Sequence, residues 1–200
     1  MLEATATTRE RLLQAALELT SEGGYAAASV NAIAERAGVA AGTLYRHFAS
    51  KGELFADLFR VVCSGEVEAM RAAADPDEPV VVQVEDVLTT FAARALRSPR
   101  LAWALIAEPV DPLVDAERLA YRETYRELLA TLLRDGVEAG ELPAQNIDFT
   151  AAALVGGIGE ALVGPVSPVA ADAPNPQEIL REIRTFVRRA VGAPASEERA

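Results

Sequence analysis

Residues 43–47 bring four polar side chains close together: a hydroxyl, a phenol, a guanidinium and an imidazole. Leu44 and Phe48 lie four residues apart, so on a helix they share one face that can pack inward. The polar groups on the other faces suit contacts to phosphate oxygens and to base edges in a major groove wide enough for one helix. The candidates for such contacts are Thr43, Tyr45, Arg46 and His47.

Lys51 adds an ammonium at the predicted start of the next helix. Ser50 and Glu53 have the spacing of a capping box, which places Lys51 in the first turn of that helix. Unpaired backbone N–H groups and the helix dipole favour an anion there. We therefore expect Lys51 to be the main phosphate anchor.

The charge of the chain is unevenly distributed. Its 19 basic and 30 acidic residues give a formal net charge of −11, which by itself argues against a polyanionic partner. Residues 1–52, however, hold five basic and five acidic residues, and no Asp or Glu lies between Arg36 and Gly52. This acid-free window is where an otherwise acidic protein could bind phosphate.

The elements that would position these residues are helices. Nearly every segment has helical periodicity, and no run alternates apolar and polar residues for long enough to predict a sheet. Thr7 and Glu10 form a capping box for the first helix, and Ser29 can cap a second that Gly38 ends. Two short helices around a glycine turn are typical of a helix-turn-helix. The sequence predicts an all-α protein.

A break at residues 75–79 (DPDEP) ends the long helix that begins near Ser50, because proline and short acidic residues favour turns. Further downstream we expect a proline-rich loop over 164–174 and a frayed tail after Gly192. Periodicity and capping signals predict the remaining helices over residues 80–97, 99–107, 112–136, 146–163 and 175–191.

The segment from Ser29 to Phe55, SVNAIAERAGVAAGTLYRHFASKGELF, resembles the DNA-binding module of the TetR family of transcriptional regulators. The resemblance extends upstream through RLLQAALELTSEGGY and covers about 50 residues at fixed spacing. It implies a helix-turn-helix DNA-binding domain over residues 1–50 and an effector-binding and dimerisation domain over 51–200. It also implies DNA contacts from Ser29, from the backbone near Gly42, and from Thr43, Tyr45 and His47, with Arg46 as the base reader.

The chain departs from the family pattern at Ala40 and Ala41. Many relatives carry a Ser or Thr followed by Lys, Arg or Pro there, so a helix cap and a basic contact are absent. About three to five phosphate anchors then remain in each subunit, which predicts a modest dependence of DNA binding on salt.

The resemblance implies that the last helices form a homodimer. Small residues interspersed along 151–159 permit close helix approach, and a wide apolar stripe marks the last helix. Two helices from each subunit would make a four-helix interface around a two-fold axis. The alternative is that these stripes only fill the core of one subunit. The residues predicted for the interface are Leu154, Val155, Ile158, Leu162, Ile183, Phe186 and Val187.

The resemblance also implies a pocket for a small-molecule effector. We expect aromatic residues to line an apolar cavity and charged residues to orient the ligand, although each of them, taken alone, is more often core or surface. The effector would be largely apolar and would act by shifting the helix that starts at Lys51. The candidate pocket residues are Phe91, Arg94, Trp103, Glu108, Tyr121 and Tyr125.

Other classes of protein have little support in the sequence. One cysteine, Cys63, and one histidine, His47, provide no internal disulfide and no set of soft metal ligands, so we expect neither a metal nor a cofactor. No Ser-His-Asp or Cys-His set is evident, so we expect no enzyme activity. Since no run of about 18 uncharged apolar residues and no signal peptide is evident, we expect a cytoplasmic protein without membrane contact.

The sequence therefore predicts a DNA-binding transcriptional regulator, most simply a ligand-responsive repressor that binds a palindromic operator as a homodimer. Two alternatives remain open: a small-molecule carrier or sensor with a degenerate DNA module, and a transcriptional activator. Cys63, in the helix that would transmit the signal, has two interpretations, a redox sensor or an inert buried thiol.

Overall fold

The computed structural model describes residues 6–169 and 175–193, and these residues form nine α-helices and no strand. The all-α fold class predicted from the sequence is confirmed. The helices are α1 (Thr8–Ala27), α2 (Val30–Arg36), α3 (Ala41–His47), α4 (Lys51–Ala73), α5 (Val80–Arg97), α6 (Pro99–Ile106), α7 (Pro112–Glu138), α8 (Ile147–Val166) and α9 (Pro176–Ala190).

The two ends of α1 follow from local sequence signals. At its start the Thr7 hydroxyl accepts the N–H of Glu10 while the Glu10 carboxylate accepts the N–H of Thr7, as in a capping box. Near its end the helix is kinked at Gly24, whose φ of 81° lies in the left-handed region that glycine tolerates. The last helical turn, up to Ala27, therefore points in a new direction.

Helices α2 and α3 form the predicted helix-turn-helix. Ser29 caps α2 by accepting the N–H of Ala32, and Gly38, with φ of 67°, turns the chain toward α3. Helix α3 begins after Ala40 without a side-chain cap, as the alanine pair predicted. This short helix therefore depends on packing for its stability.

Buried apolar side chains form two clusters, and α4 contributes to both. The N-terminal cluster joins α1, α2 and α3 to the first half of α4, as far as Cys63, and to Val114 of α7. The C-terminal cluster begins at Met70 of α4 and continues through α5 to α9. The domain boundary after residue 50 stays a prediction. The N-terminal cluster extends beyond that residue, because α4 packs against the helix-turn-helix.

Helices α6 and α7 also link the two clusters. Helix α6 lies against α1 on one side and against α8 and α5 on the other, while α4 lies against α7 and α5. Packed interiors transmit small shifts, so α4 and α6 are placed to pass a displacement to the N-terminal cluster.

Helix α8 is longer than the sequence predicted. Pro165 lies in its last turn, where it lacks the N–H that would bond to the preceding turn. The helix nevertheless continues to Val166, whose side chain is buried. The prediction that residues 164–166 belong to a loop is therefore wrong. Residues 170–174 of that loop, and the predicted tail from 194 onward, lie outside the described residues.

By length and composition α8 could also cross a membrane, which was not expected from the sequence. In this structure one of its faces lies in the C-terminal cluster, through Ala151, Leu154, Ile158, Leu162 and Val166.

Candidate DNA interface and adjoining cavity

Helix α3 turns its apolar side chains inward and its polar side chains outward. Leu44 and Phe48 are 0% and 1% exposed, as their spacing predicted. Tyr45 is 57% exposed, and the guanidinium of Arg46 donates to the Thr43 hydroxyl over 3.1 Å. The predicted contact residues of this helix therefore lie outside the core, with His47 also exposed at its end.

The other two predicted contacts, at Gly42 and Ser29, are also accessible. A Cβ placed on Gly42 would meet no atom within 4 Å, so a bulky partner can approach the backbone there. The exposed Ser29 hydroxyl oxygen accepts the N–H of Ala32 at 3.2 Å, which leaves its own proton able to donate. Contacts from these two positions to DNA stay predictions.

Arg11 fixes the turn between α2 and α3, a role that sequence reasoning missed. Its guanidinium donates to the carbonyl oxygens of Ala37 and Gly38, at 3.2 Å from Nε and 3.3 Å from Nη2. These carbonyls stand at the end of α2, where the helix dipole favours a cation. No sequence signal could have shown this role, because Arg11 is 26 residues away from Ala37 and looks like any solvated arginine of an amphipathic helix.

Two other cations near α3 are neutralised by carboxylates. Arg36 pairs with Glu22 at 2.9 Å and with Glu18 at 3.3 Å, and these pairs, chiefly the hydrogen bond to Glu22, raise the pKa of its guanidinium. Arg9 pairs with Asp57 of α4. Within residues 6–52, Arg46 and Lys51 are then the cations held neither by a carboxylate nor by the α2–α3 turn.

The ammonium of Lys51 points toward the protein. Its Nζ donates to the carbonyl oxygen of Tyr25 over 3.1 Å and lies 4.1 Å from the centre of the Tyr25 ring and 5.2 Å from that of Phe55. Burial lowers the pKa of this ammonium, and the charge of Glu108 opposes that shift. A phosphate contact from Lys51 would require it to leave Tyr25, so Arg46 is the better placed cation in this conformation.

Glu108 joins the end of α6 to the kinked end of α1. Its carboxylate accepts the backbone N–H of Tyr25 at 2.9 Å and that of Ala26 at 3.3 Å. Its two oxygens lie 3.1 and 3.3 Å from the position of a Cβ on Gly24, so a larger residue there would crowd the carboxylate. Hydrogen bonds to a charged acceptor are stronger than neutral ones. Tyr25 is thus held from α6 by Glu108 and from α4 by Lys51.

Arg118 of α7 holds the same end of α6. Its guanidinium donates to the carbonyl oxygens of Leu105, Ala104 and Glu108, at 2.9, 3.1 and 3.0 Å. Burial is the main cause that lowers the pKa of Arg118. The three carbonyls are unpaired acceptors at a helix C-terminus, so this arginine acts as the C-terminal cap of α6.

A cavity of about 430 Å³ lies between α4, α5, α6, α7 and α8, and Arg118 forms part of its wall. Its volume falls within the range of roughly 300–1,000 Å³ that small-molecule sites occupy. Four residues that the sequence predicted for a pocket line it, namely Phe91, Arg94, Tyr121 and Tyr125.

The other two predicted pocket residues, Trp103 and Glu108, do not line the cavity. Ala102, Leu105 and Ile106 of α6 face it, whereas Trp103 packs against the C-terminal cluster elsewhere. Glu108 is turned toward the backbone of α1, as described above. Each of these two residues therefore has a structural role.

Two polar pairs lie in the cavity wall. Glu66 and Arg94 form a bidentate ion pair, with Nε–Oε2 and Nη2–Oε1 distances of 2.6 and 2.9 Å, so their charges cancel. The Cys63 thiol lies beside Tyr125, and burial raises the pKa of that thiol to about 12. Since the thiolate is the reactive form, this environment favours the inert interpretation of Cys63 over the redox sensor.

Most of the residues predicted for a dimer interface are buried inside the subunit. Their side chains face the C-terminal cluster because the longest apolar stripes of α8 and α9 pack against α5, α6 and α7. Val155 lines the cavity, and Phe186 is 44% exposed. The assignment to a dimer interface is therefore wrong for Leu154, Ile158, Leu162, Ile183 and Val187.

A helix-turn-helix unit attached to a helical domain that encloses a ligand-sized cavity defines a one-component DNA-binding regulator. Residues 12–58 match the sequence model of the bacterial regulatory proteins of the tetR family. The chain is 30% identical over 152 residues to the HTH-type transcriptional regulator UidR of Escherichia coli K12, a match that covers 74% of this chain and 76% of UidR. The chain belongs to the TetR family and is a DNA-binding transcriptional regulator.

Two further relatives extend this comparison. The HTH-type transcriptional repressor KstR of Mycolicibacterium smegmatis is 54% identical over 52 residues, 26% of each chain. The crystal structure of FadR from Bacillus subtilis in complex with stearoyl-CoA superposes with a TM-score of 0.75 at 20% identity and covers 92% of this chain and 98% of FadR. At 20% identity this superposition shows that the two proteins share a fold.

Proposed function

We propose that this regulator is a cytoplasmic, ligand-responsive repressor: a homodimer that binds a palindromic operator through α3 of each subunit and releases it when an effector fills the cavity. The observation that carries this proposal is the position of Arg118, which lines the cavity and also caps the end of α6. From the end of α6 the contacts continue through Glu108, whose backbone carbonyl accepts from Arg118 and whose carboxylate holds the backbone at the end of α1. Two named relatives support it, since KstR is a repressor and FadR binds stearoyl-CoA.

The effector would change operator affinity through the hydrogen bonds that hold the backbone of Tyr25. An effector that fits better when α6 or α4 is displaced would weaken the bond from Glu108 or from Lys51 to Tyr25. The orientation of the helix-turn-helix relative to the second subunit would then change. A ligand shifts such an equilibrium by its differential affinity for the two states, and coupling energies of about 1–3 kcal/mol are usual.

The face of α8 that is turned away from the core is the dimer surface that we propose in place of the buried residues. Phe149, 73% exposed, stands near one end, and Phe186 of α9 lies beside its middle, with its ring 3.5 Å from the position of a Cβ on Gly157. Exposed apolar patches mark interaction surfaces, and small residues let two helices approach closely. The small exposed residues of α8 are Ala152, Ala153, Gly156, Gly157, Ala161 and Gly164.

Selection of bound sequences from random DNA tests the proposal. We expect a palindrome whose half-sites lie one helical turn, about 10 base pairs, apart or a multiple of it. A small-molecule carrier with a degenerate DNA module would enrich no sequence, and neither Arg46→Ala nor Lys51→Ala would change its DNA affinity. An activator would bind the operator equally well but raise transcription of a reporter placed downstream.

A further inference from the structure

The cavity has an apolar, electrically neutral interior. Its one acidic residue, Glu66, is neutralised by the bidentate pair with Arg94. Arg118, a further cation of the wall, pairs with Asp115 and donates to carbonyl oxygens of α6. The buried residues of the wall carry no charge; they are Phe59, Cys63, Met70, Leu88, Ala95, Ala102 and Ile158. Such a lining suits an apolar group and gains nothing from a charged one.

The mouth of the cavity is basic. The opening is marked by the exposed lining residues, which are Val61, Gly65, Arg97, Ser98 and Arg122. Two of these five are arginines, from the end of α5 and the middle of α7, and none is acidic. On a chain with a net charge of −11 this local excess of positive charge runs against the average.

The charges of these two arginines are not used within the described part of the subunit. The arginines nearby on α4 and α7 pair with carboxylates: Arg60 with Glu117, Arg118 with Asp115 and Arg126 with Glu123. Arg97 and Arg122 form no ion pair and no hydrogen bond there. The charge of Arg122 also opposes protonation of Arg118, whose pKa is lowered mainly by burial, so Arg122 lies close to Arg118 in the cavity wall.

This inference rests on the proposed function, in which the cavity is the effector site. We propose that the effector is an amphiphile, with an apolar chain that fills the interior and an anionic headgroup that binds Arg97 and Arg122 at the mouth. A carboxylate or a phosphate meets the geometry of a guanidinium in the same way. A free fatty acid and an acyl chain carried on a phosphate-bearing thiol ester share this chemistry.

Amphiphiles of equal chain length and different headgroups test the headgroup. Palmitate, palmitoyl-CoA, hexadecanol and hexadecylamine would each displace a bound apolar dye at concentrations below micelle formation. We expect at least one of the two anions to bind tenfold or more tightly than the alcohol, and the amine to bind most weakly. Palmitate and palmitoyl-CoA distinguish a carboxylate headgroup from a phosphate-bearing one. Equal or tighter binding of the amine overturns the proposal.

Variants then locate the headgroup. The double substitution Arg97→Gln with Arg122→Gln should weaken binding of the preferred anion at least fivefold and leave the alcohol unchanged. Arg100→Gln is the matched control, because Arg100 is also exposed but does not line the cavity. Circular dichroism verifies that the double variant is folded. If the folded variant keeps its affinity for the anion, Arg97 and Arg122 do not bind the headgroup.

Operator binding separates this inference from the function on which it rests. If the anion binds but leaves operator affinity unchanged, the proposed coupling fails and the ligand class stands. If a cationic amphiphile alone releases the operator, the coupling stands and the ligand class is wrong.

Discussion

The carboxylate of Glu108 accepts the backbone N–H of Tyr25 over 2.9 Å, although 83 residues separate the two in the chain. The bond joins the last turn of α1, beyond its kink, to the residue pair that follows α6. Lys51 of α4 donates to the carbonyl oxygen of the same Tyr25. Tyr25 is therefore held through its backbone N–H from the end of α6 and through its carbonyl oxygen from α4, and both of these helices contact the two clusters.

Glu108→Gln should loosen this junction. An amide retains one oxygen acceptor and adds an N–H₂ that cannot accept, so one of the two bonds to Tyr25 and Ala26 is lost. We expect hydrogen exchange of these two amides to rise about tenfold and the free energy of unfolding to fall by about 1–2 kcal/mol. Glu127→Gln, on an exposed face of α7, is the control and should change neither quantity. Unaltered exchange at Tyr25 would contradict the role of Glu108.

Arg46→Ala should weaken operator binding more than Lys51→Ala does. Arg46 is exposed on α3, so its loss should cost about 1–3 kcal/mol and relax the sequence preference at one position of each half-site. Lys51 packs on Tyr25 and Phe55, so its removal should lower thermal stability as well. Fluorescence anisotropy and thermal melts measure the two effects. A larger loss of affinity for Lys51→Ala without any change in stability would restore Lys51 as the main anchor.

The dependence of operator binding on salt should be shallow. Arg46 and Lys51 supply about two available cations in each subunit and four in a dimer, which predicts a slope of log K against log salt of about −4. Titrations at several salt concentrations measure it. A slope near −10 would show that Arg9 and Arg36 leave their carboxylate partners to bind phosphate.

Gly156→Leu should dissociate the dimer without unfolding the subunit. A Cβ on this exposed glycine meets no atom within 4 Å, and replacing a helical glycine removes a cost of about 1 kcal/mol. A leucine would nevertheless hold two α8 helices apart, so we expect the dimer dissociation constant to rise at least tenfold in analytical ultracentrifugation. Ala116→Leu adds the same side chain to an exposed face of α7 and should leave the dimer intact. A stable Gly156→Leu dimer would place the interface elsewhere.

The thiol of Cys63 should be unreactive near neutral pH. Because burial raises its pKa to about 12, it stays protonated in the folded protein up to well above the value of about 8.5 for an unfolded chain. The group's contribution to stability is therefore full below about pH 8.5 and is lost as the pH rises toward 12. Reaction with a disulfide reagent at pH 8 should be slow in the native state and fast in denaturant. Rapid native labelling, or peroxide-sensitive operator binding, would revive the redox interpretation.

Local signals in the sequence determined the helices well, and the same signals located the DNA module. Capping residues such as Thr7, Ser29 and Asn175 act on backbone groups two or three positions away, so their effect can be inferred from spacing alone. The burial of Leu44 and Phe48, and hence the outward placement of Tyr45 and Arg46, follows from one helical period in the same way.

Only the tertiary structure determined which helix faces pack against each other when the helices are distant in the chain. The apolar residues of α8 were equally suited to a dimer or to the subunit's own core, and only the packing of α8 against α5, α6 and α7 assigned Leu154 and Leu162 to the core. Likewise the sequence suggested that Lys51 binds phosphate and that Glu108 binds an effector. In the structure Lys51 donates to the carbonyl oxygen of Tyr25, and Glu108 accepts the N–H of the same residue. A helical period states which residues share a face and not which partner that face meets, because the partner is brought there by the rest of the chain.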